Sequence, residues 1–207
     1  MISFTGGKQH VMIKTVSQLQ SEYSSYRAPE HKIRRLADAG QLYCVKRGLY
    51  EDNRDCPGEA LGSLLINGSC YLSFEYALAR YSLIPEAVYV YTFASFRKKQ
   101  IKEYHNFFGD YVFRPVPDAV FPYAVTYEER DQYSWSLALP EKALCDYVYF
   151  RKPIRGYRNF MQFLTEGLRV EMQDLRQLDR ELLVYIAERY RSTNVRHFLT
   201  FARKEMN

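Results

Sequence analysis

His31–Asp52 reads HKIRRLADAGQLYCVKRGLYED, and this stretch decides how the N-terminal part of the chain is expected to fold. Pro29, just upstream, suits a first helical turn because the N–H it lacks would be unpaired there, and Glu30 lies beside the helix's positive end. Gly40 is a natural stop. Between them Ile33, Leu36 and Ala37 recur at helical spacing as a buried stripe, so His31, Lys32, Arg34, Arg35 and Asp38 flank it or point outward. QLYCV then alternates as a strand does, bends at Arg47-Gly48 and returns through Leu49 and Tyr50. Upstream, TVSQLQSEYSSY puts Val16, Leu19 and Tyr23 on one face of an earlier helix. Helix, helix and a hairpin with Lys46 and Arg47 at its tip is the order of a winged helix. The polar EDNRDCPGE that follows reads as a linker.

Bulk properties narrow the classes. The chain has 207 residues, 47% of them apolar, enough to bury a core in one or two domains and too apolar for a disordered chain. Cys44, Cys56, Cys70 and Cys145 form no C-x-x-C pair and the four histidines are scattered, so no structural metal and no cofactor is expected, and the thiols read as reduced. No signal-like or membrane-length apolar run is present, which points to a cytoplasmic protein without a membrane partner. The charge is unevenly placed. Residues 1–50 hold eight Lys/Arg against three acids, a net of +5, while the remainder is balanced at 21 of each sign. The basic field therefore belongs to the N-terminal quarter.

Beyond the linker the pattern is mixed. PGEALGSLLI and LSFEYALARY read as helices, the second with Ser73 as N-cap. AVYVYTFA, DYVFRPVP and YAVTYEERDQYSWSLAL read as strands. From about residue 139 the chain turns helical, with Leu175, Leu178, Leu182 and Ile186, then Val195, Phe198, Leu199 and Ala202, at spacings of three and four. In LPEKALCD, Ala143, Leu144, Tyr147 and Val148 form a buried face, and Lys142 with Asp146 an i,i+4 pair. The expected fold class is α+β: a winged-helix domain over residues 1–57, then a mixed α/β domain over 58–207 with helices at its C-terminal end.

The succession KIRRLADAGQLYCVKRGLYE, YLSFEYALARYSLIPE and LALPEKALCDYVY resembles the AbiEi-type antitoxin family of type IV toxin–antitoxin systems, over about residues 12–152. The resemblance implies an N-terminal winged helix that binds the operon's own promoter. It also implies a C-terminal domain that counteracts a nucleotidyltransferase-like toxin without a stable complex. One departure stands out. Family members often carry an extra helix before the recognition helix, whereas here little more than SSYRAPE separates the two helices, so the DNA-binding unit is shortened.

The residues support a nucleic-acid contact without the family. A basic helix fits the major groove, where Arg reads guanine edges and Lys or Arg neutralises phosphates. The expected contacts to double-stranded DNA are Arg27, His31, Lys32, Arg34 and Arg35, with Lys46 and Arg47 at the hairpin tip over a neighbouring phosphate or minor groove. A solvated charged face is the plain alternative for all of them, as it is for FRKKQIK (residues 96–102). Two other functions stay open: a stand-alone winged-helix regulator, and a Mg²⁺-dependent nuclease using Asp118 and Glu128-x-Arg130. In the second, Arg130 stands where a lysine is expected and cannot be deprotonated. The sequence favours a non-enzymatic antitoxin and autorepressor.

Overall fold

The computed structural model describes residues 13–206, and these form an α+β structure with two sheets and, among the described residues, nine α-helices. The chain divides into two compact units. One comprises residues up to Cys56 together with Asn106–Phe108; the other comprises Pro57–His105 and the chain from Gly109 onward.

The first unit runs β1 (Ile13–Thr15), α1 (Val16–Glu22), α2 (Pro29–Asp38), β2 (Tyr43–Lys46) and β3 (Leu49–Glu51). Its three-stranded antiparallel sheet has the order β1-β3-β2. Its core is Leu19, Ile33 and Leu42, with Tyr23, Leu36, Ala37 and Tyr50 packed around them. β1 has no counterpart in the sequence expectation, because three residues give too short a run for alternation to register. The segment expected as a linker is an ordered turn. Glu51 is fully buried at the end of β3, and its carboxylate accepts the N–H groups of Asp52 at 3.0 Å and Asn53 at 2.9 Å.

The second unit holds a six-stranded sheet of order β6-β7-β5-β4-β9-β8. The strands are β4 (Cys70–Leu72), β5 (Val90–Ser95), β6 (Lys102–Asn106), β7 (Gly109–Pro115), β8 (Val125–Arg130) and β9 (Tyr133–Ala138). β5 with β7 and β4 with β9 are parallel; β4 with β5 and β8 with β9 are antiparallel. PGEALGSLLI forms a 3₁₀ turn, Gly58–Leu61, and then α3 (Gly62–Ile66). Its glycines let it lie close on the sheet: a Cβ on Gly62 would stand 2.3 Å from the Phe93 ring. LSFEYALARY gives α4 (Phe74–Arg80), but Leu72 belongs to β4 and Ser73 does not cap. The cap comes from β5 instead. The Thr92 hydroxyl accepts the N–H of Tyr76 at 3.1 Å and donates to the Ser73 carbonyl at 2.6 Å.

The C-terminal helices are α5 (Pro140–Tyr149), α6 (Tyr157–Gln162), α7 (Met172–Gln177), α8 (Arg180–Ala187) and α9 (Thr193–Glu205). The leucine repeat from Leu175 to Ile186 is not one helix. Leu178 is extended, and Asp179 caps α8 by accepting the Leu182 N–H at 2.9 Å.

α5 departs furthest from its expected amphipathic form. It packs against α4, α8, α9 and β9, and every residue from Glu141 to Val148 is buried. Lys142 and Asp146 are completely enclosed, so they must be satisfied by the protein itself. Lys142 Nζ donates to Asp146 Oδ1 at 3.2 Å and to the Tyr190 hydroxyl at 2.6 Å. Tyr190 OH also donates to Asp146 Oδ1. The other carboxylate oxygen accepts from Tyr71 OH at 3.0 Å and Ser73 Oγ at 2.7 Å. The ammonium lies 4.9 Å from the Tyr190 ring centroid and 5.5 Å from that of Tyr71. Burial pushes the Lys142 amine below its ordinary value, against the pull of Asp146. Burial, reinforced by the Asp146 charge, holds both phenols well above theirs.

Asp146→Ala should cost about 3–5 kcal/mol in denaturant unfolding, because it strands a buried ammonium. Replacing the pair together by Met and Leu should recover only part of that loss, since it removes the stranded charge but leaves the Tyr71, Ser73 and Tyr190 hydroxyls without their acceptor. A surface pair would give less than about 1 kcal/mol for either change.

Candidate nucleic-acid interface

The first unit displays its cations from two elements that local chemistry fixes. α1 begins with a reciprocal cap: Thr15 Oγ1 accepts the Gln18 N–H at 3.2 Å, and the Gln18 side chain accepts the Thr15 N–H at 2.8 Å. This directs Leu19 into the core. α2 starts on Pro29 and ends before Gly40, which sits at φ +66° where only glycine is unstrained. Ile33 points inward, so His31, Arg34 and Arg35 are exposed. The β2–β3 turn closes on Gly48 at φ +86°, and the Gly48 carbonyl accepts the Val16 N–H at 3.1 Å. The tip is thereby tied to the start of α1.

The seven residues expected to contact DNA fall on three segments. Arg27 is exposed on the α1–α2 connection. His31, Lys32, Arg34 and Arg35 lie on α2; Lys46 and Arg47 lie at the hairpin tip. Among the described residues Arg27, Arg34, Arg35 and Arg47 have no ion-pair partner. Lys32 and Lys46 are half-buried, and burial lowers the Lys46 amine from its ordinary value. Lys32 holds its ammonium 5.2 Å from the ring centroid of Tyr26. Lys14, which contributes to the N-terminal charge excess, is neutralised by Glu22 at 2.9 Å and Asp52 at 3.5 Å. Burial pulls its amine down, but these two carboxylates outweigh it and leave the amine raised. Lys8 lies outside the described residues.

Tyr26 is the contact that sequence reasoning passed over. It lies six positions before Lys32 across a turn, so no periodicity links the two.

Several residues of the other charged motifs are engaged within the second unit. In FRKKQIK, Arg97 stacks 4.8 Å from the Phe96 ring and pairs with Asp118 at 3.1 Å, while Lys98 Nζ donates to the Asn67 carbonyl at 3.4 Å. Of the residues considered for a nuclease, Asp118 is thus held by Arg97. Glu128 pairs with Arg80 at 2.9 Å and accepts from Trp135 Nε1 at 3.1 Å, and Arg130 is exposed at the end of β8. Among the described residues no three His, Cys, Asp or Glu side chains gather where they could hold a metal ion, and no helix is long and apolar enough to cross a membrane.

Comparison with protein-family models and with curated proteins gives no match.

Glu51, which ends the hairpin, makes the unit's stability depend on pH. One carboxylate oxygen accepts two backbone N–H groups, but Oε2 is buried with no hydrogen-bond partner. Burial, aided by the neighbouring Asp52 carboxylate, therefore raises the carboxyl above its usual 4.5, against the lowering effect of the two N–H groups. A raised carboxyl stabilises the fold fully below its unfolded value, and that contribution is lost as pH rises through the folded value. Glu51→Gln keeps the accepting oxygen and removes the titration. Its melting temperature should exceed the wild type's at neutral pH, and the difference should shrink towards about pH 4 in thermal scans.

Proposed function

We propose that this chain is a DNA-binding antitoxin and autorepressor of the AbiEi kind. In this reading the first unit acts as a shortened winged helix on the chain's own promoter, with α2 in the major groove. The second unit counteracts a nucleotidyltransferase-like toxin. The observation that carries the DNA reading is the set of unneutralised guanidinium groups on α2 and at the hairpin tip, in a unit whose Lys14 is already paired with acids. Exposed arginines without acidic partners keep their planar donors available, and that fork matches guanine O6 and N7. Two helices followed by a hairpin whose second strand is flanked by β1 is an order consistent with such a unit.

The antitoxin part rests on the ordered resemblance of the three segments quoted above, the last of which forms the enclosed helix α5. Catalysis is the weaker reading for the second unit, since Asp118 and Glu128 are each engaged by a different arginine.

Two measurements test the proposal. In fluorescence anisotropy with upstream DNA, Arg34→Glu combined with Arg35→Glu should abolish binding while thermal unfolding is unchanged. Arg47→Ala should weaken all sequences alike and reduce the salt dependence by about one phosphate contact. In toxin co-expression from a foreign promoter, the double arginine variant should still relieve growth arrest. Loss of protection at matched soluble levels would make a stand-alone regulator the better reading.

A further inference from the structure

Lys32 differs from its neighbours on α2. Arg34 and Arg35 are exposed, whereas Lys32 is half-buried with its ammonium 5.2 Å from the centre of the Tyr26 ring. Tyr26 is 49% exposed. Its ring meets Tyr23 edge-on at 6.1 Å, and its N–H donates to the Tyr23 carbonyl at 2.9 Å. Tyr23 in turn packs on the Leu19, Ile33 and Leu42 core. The ammonium is therefore carried on the Tyr26 ring, which is braced edge-on by Tyr23 and through it rests on the centre of the unit. A lysine held over an aromatic face has given up much of its rotamer freedom before any ligand arrives. It also presents a compact charge, suited to a phosphate, without the fork that reads a base edge.

We propose that Tyr26 and Lys32 form one composite contact for a DNA backbone phosphate. Lys32 supplies the charge, and Tyr26 is a positioning residue whose ring holds that charge while its phenol offers a second donor. α2 then divides its cations into an anchored contact that sets position and an outward pair, Arg34 and Arg35, that reads sequence. This division rests on the DNA reading above.

The test uses the full chain with two labelled duplexes, one of its own upstream DNA and one with the same bases shuffled, over a series of salt concentrations. Lys32→Ala should weaken both duplexes by the same factor and lower the slope of log affinity against log salt by about 0.9. Tyr26→Ala should weaken both by a common factor of about 2–5, the size of an exposed cation–π contact. In the Lys32→Ala background it should cost no more than Tyr26→Phe does alone. Arg34→Ala or Arg35→Ala should instead narrow the gap between the two duplexes. Thermal unfolding of each variant serves as the folding control, and Tyr26→Phe keeps the ring in place. The division is overturned if Lys32→Ala affects only the upstream duplex or neither, or if the Tyr26→Ala loss multiplies in full on Lys32→Ala. Failure of the wild type to bind either duplex overturns the DNA reading itself, and the division with it.

Discussion

A carboxylate and an ammonium with no exposed surface must find their partners inside the fold, and in the second unit this demand falls on Asp146 and Lys142. Their donors and acceptors come from far apart in the chain: Tyr71 is the middle residue of β4, Ser73 lies between β4 and α4, and Tyr190 lies between α8 and α9. The sheet, the central helix and the C-terminal helices are thus fixed against one another through a single carboxyl group. Apolar packing alone tolerates small slides, because dispersion contacts are non-directional. Hydrogen bonds to one buried charge do not. A helix shifted by one residue would leave the ammonium or the carboxylate unpaired at a cost of several kcal/mol.

The first unit is organised by the opposite need. Its core is small, with a central cluster of three buried side chains, and most of its charge faces water. Local devices therefore carry more of the specification: the Thr15–Gln18 cap, Pro29 at the start of α2, and glycines at Gly40 and Gly48 where the backbone turns left-handed. A surface of this kind can keep unpaired guanidinium groups at little cost, since water solvates them.

These two regimes explain what could be read from the sequence. α2 and the β2–β3 hairpin were legible because Pro29, Gly40 and Gly48 act within a few residues of where they stand. The helix over LPEKALCD was legible too, with its pair at positions 142 and 146. Its enclosure was not, because an i,i+4 Lys and Asp look the same on a surface as in a core, and only the covering by α8 and α9 distinguishes them. β4 escaped notice for the same reason: three residues become a strand by pairing with Phe93 and Leu137, distant in sequence. Within the candidate site, the positions of the cations on α2 were legible, but their availability was not. Lys14 and Arg34 carry the same charge on paper; Glu22 and Asp52 fold beside one of them and not the other.

The Asp146 network also has a temporal side. A chain emerging from the ribosome completes β4 and α5 long before Tyr190 exists, so the carboxylate waits with one of its donors unsynthesised. The parallel pairing of Leu72 with Leu137 imposes a similar delay on the middle of the sheet. The β2–β3 hairpin of the first unit, by contrast, pairs residues close in sequence. The Asp146 network therefore cannot be complete until residue 190 has been made, when of the second unit's helices only α9 is still to come.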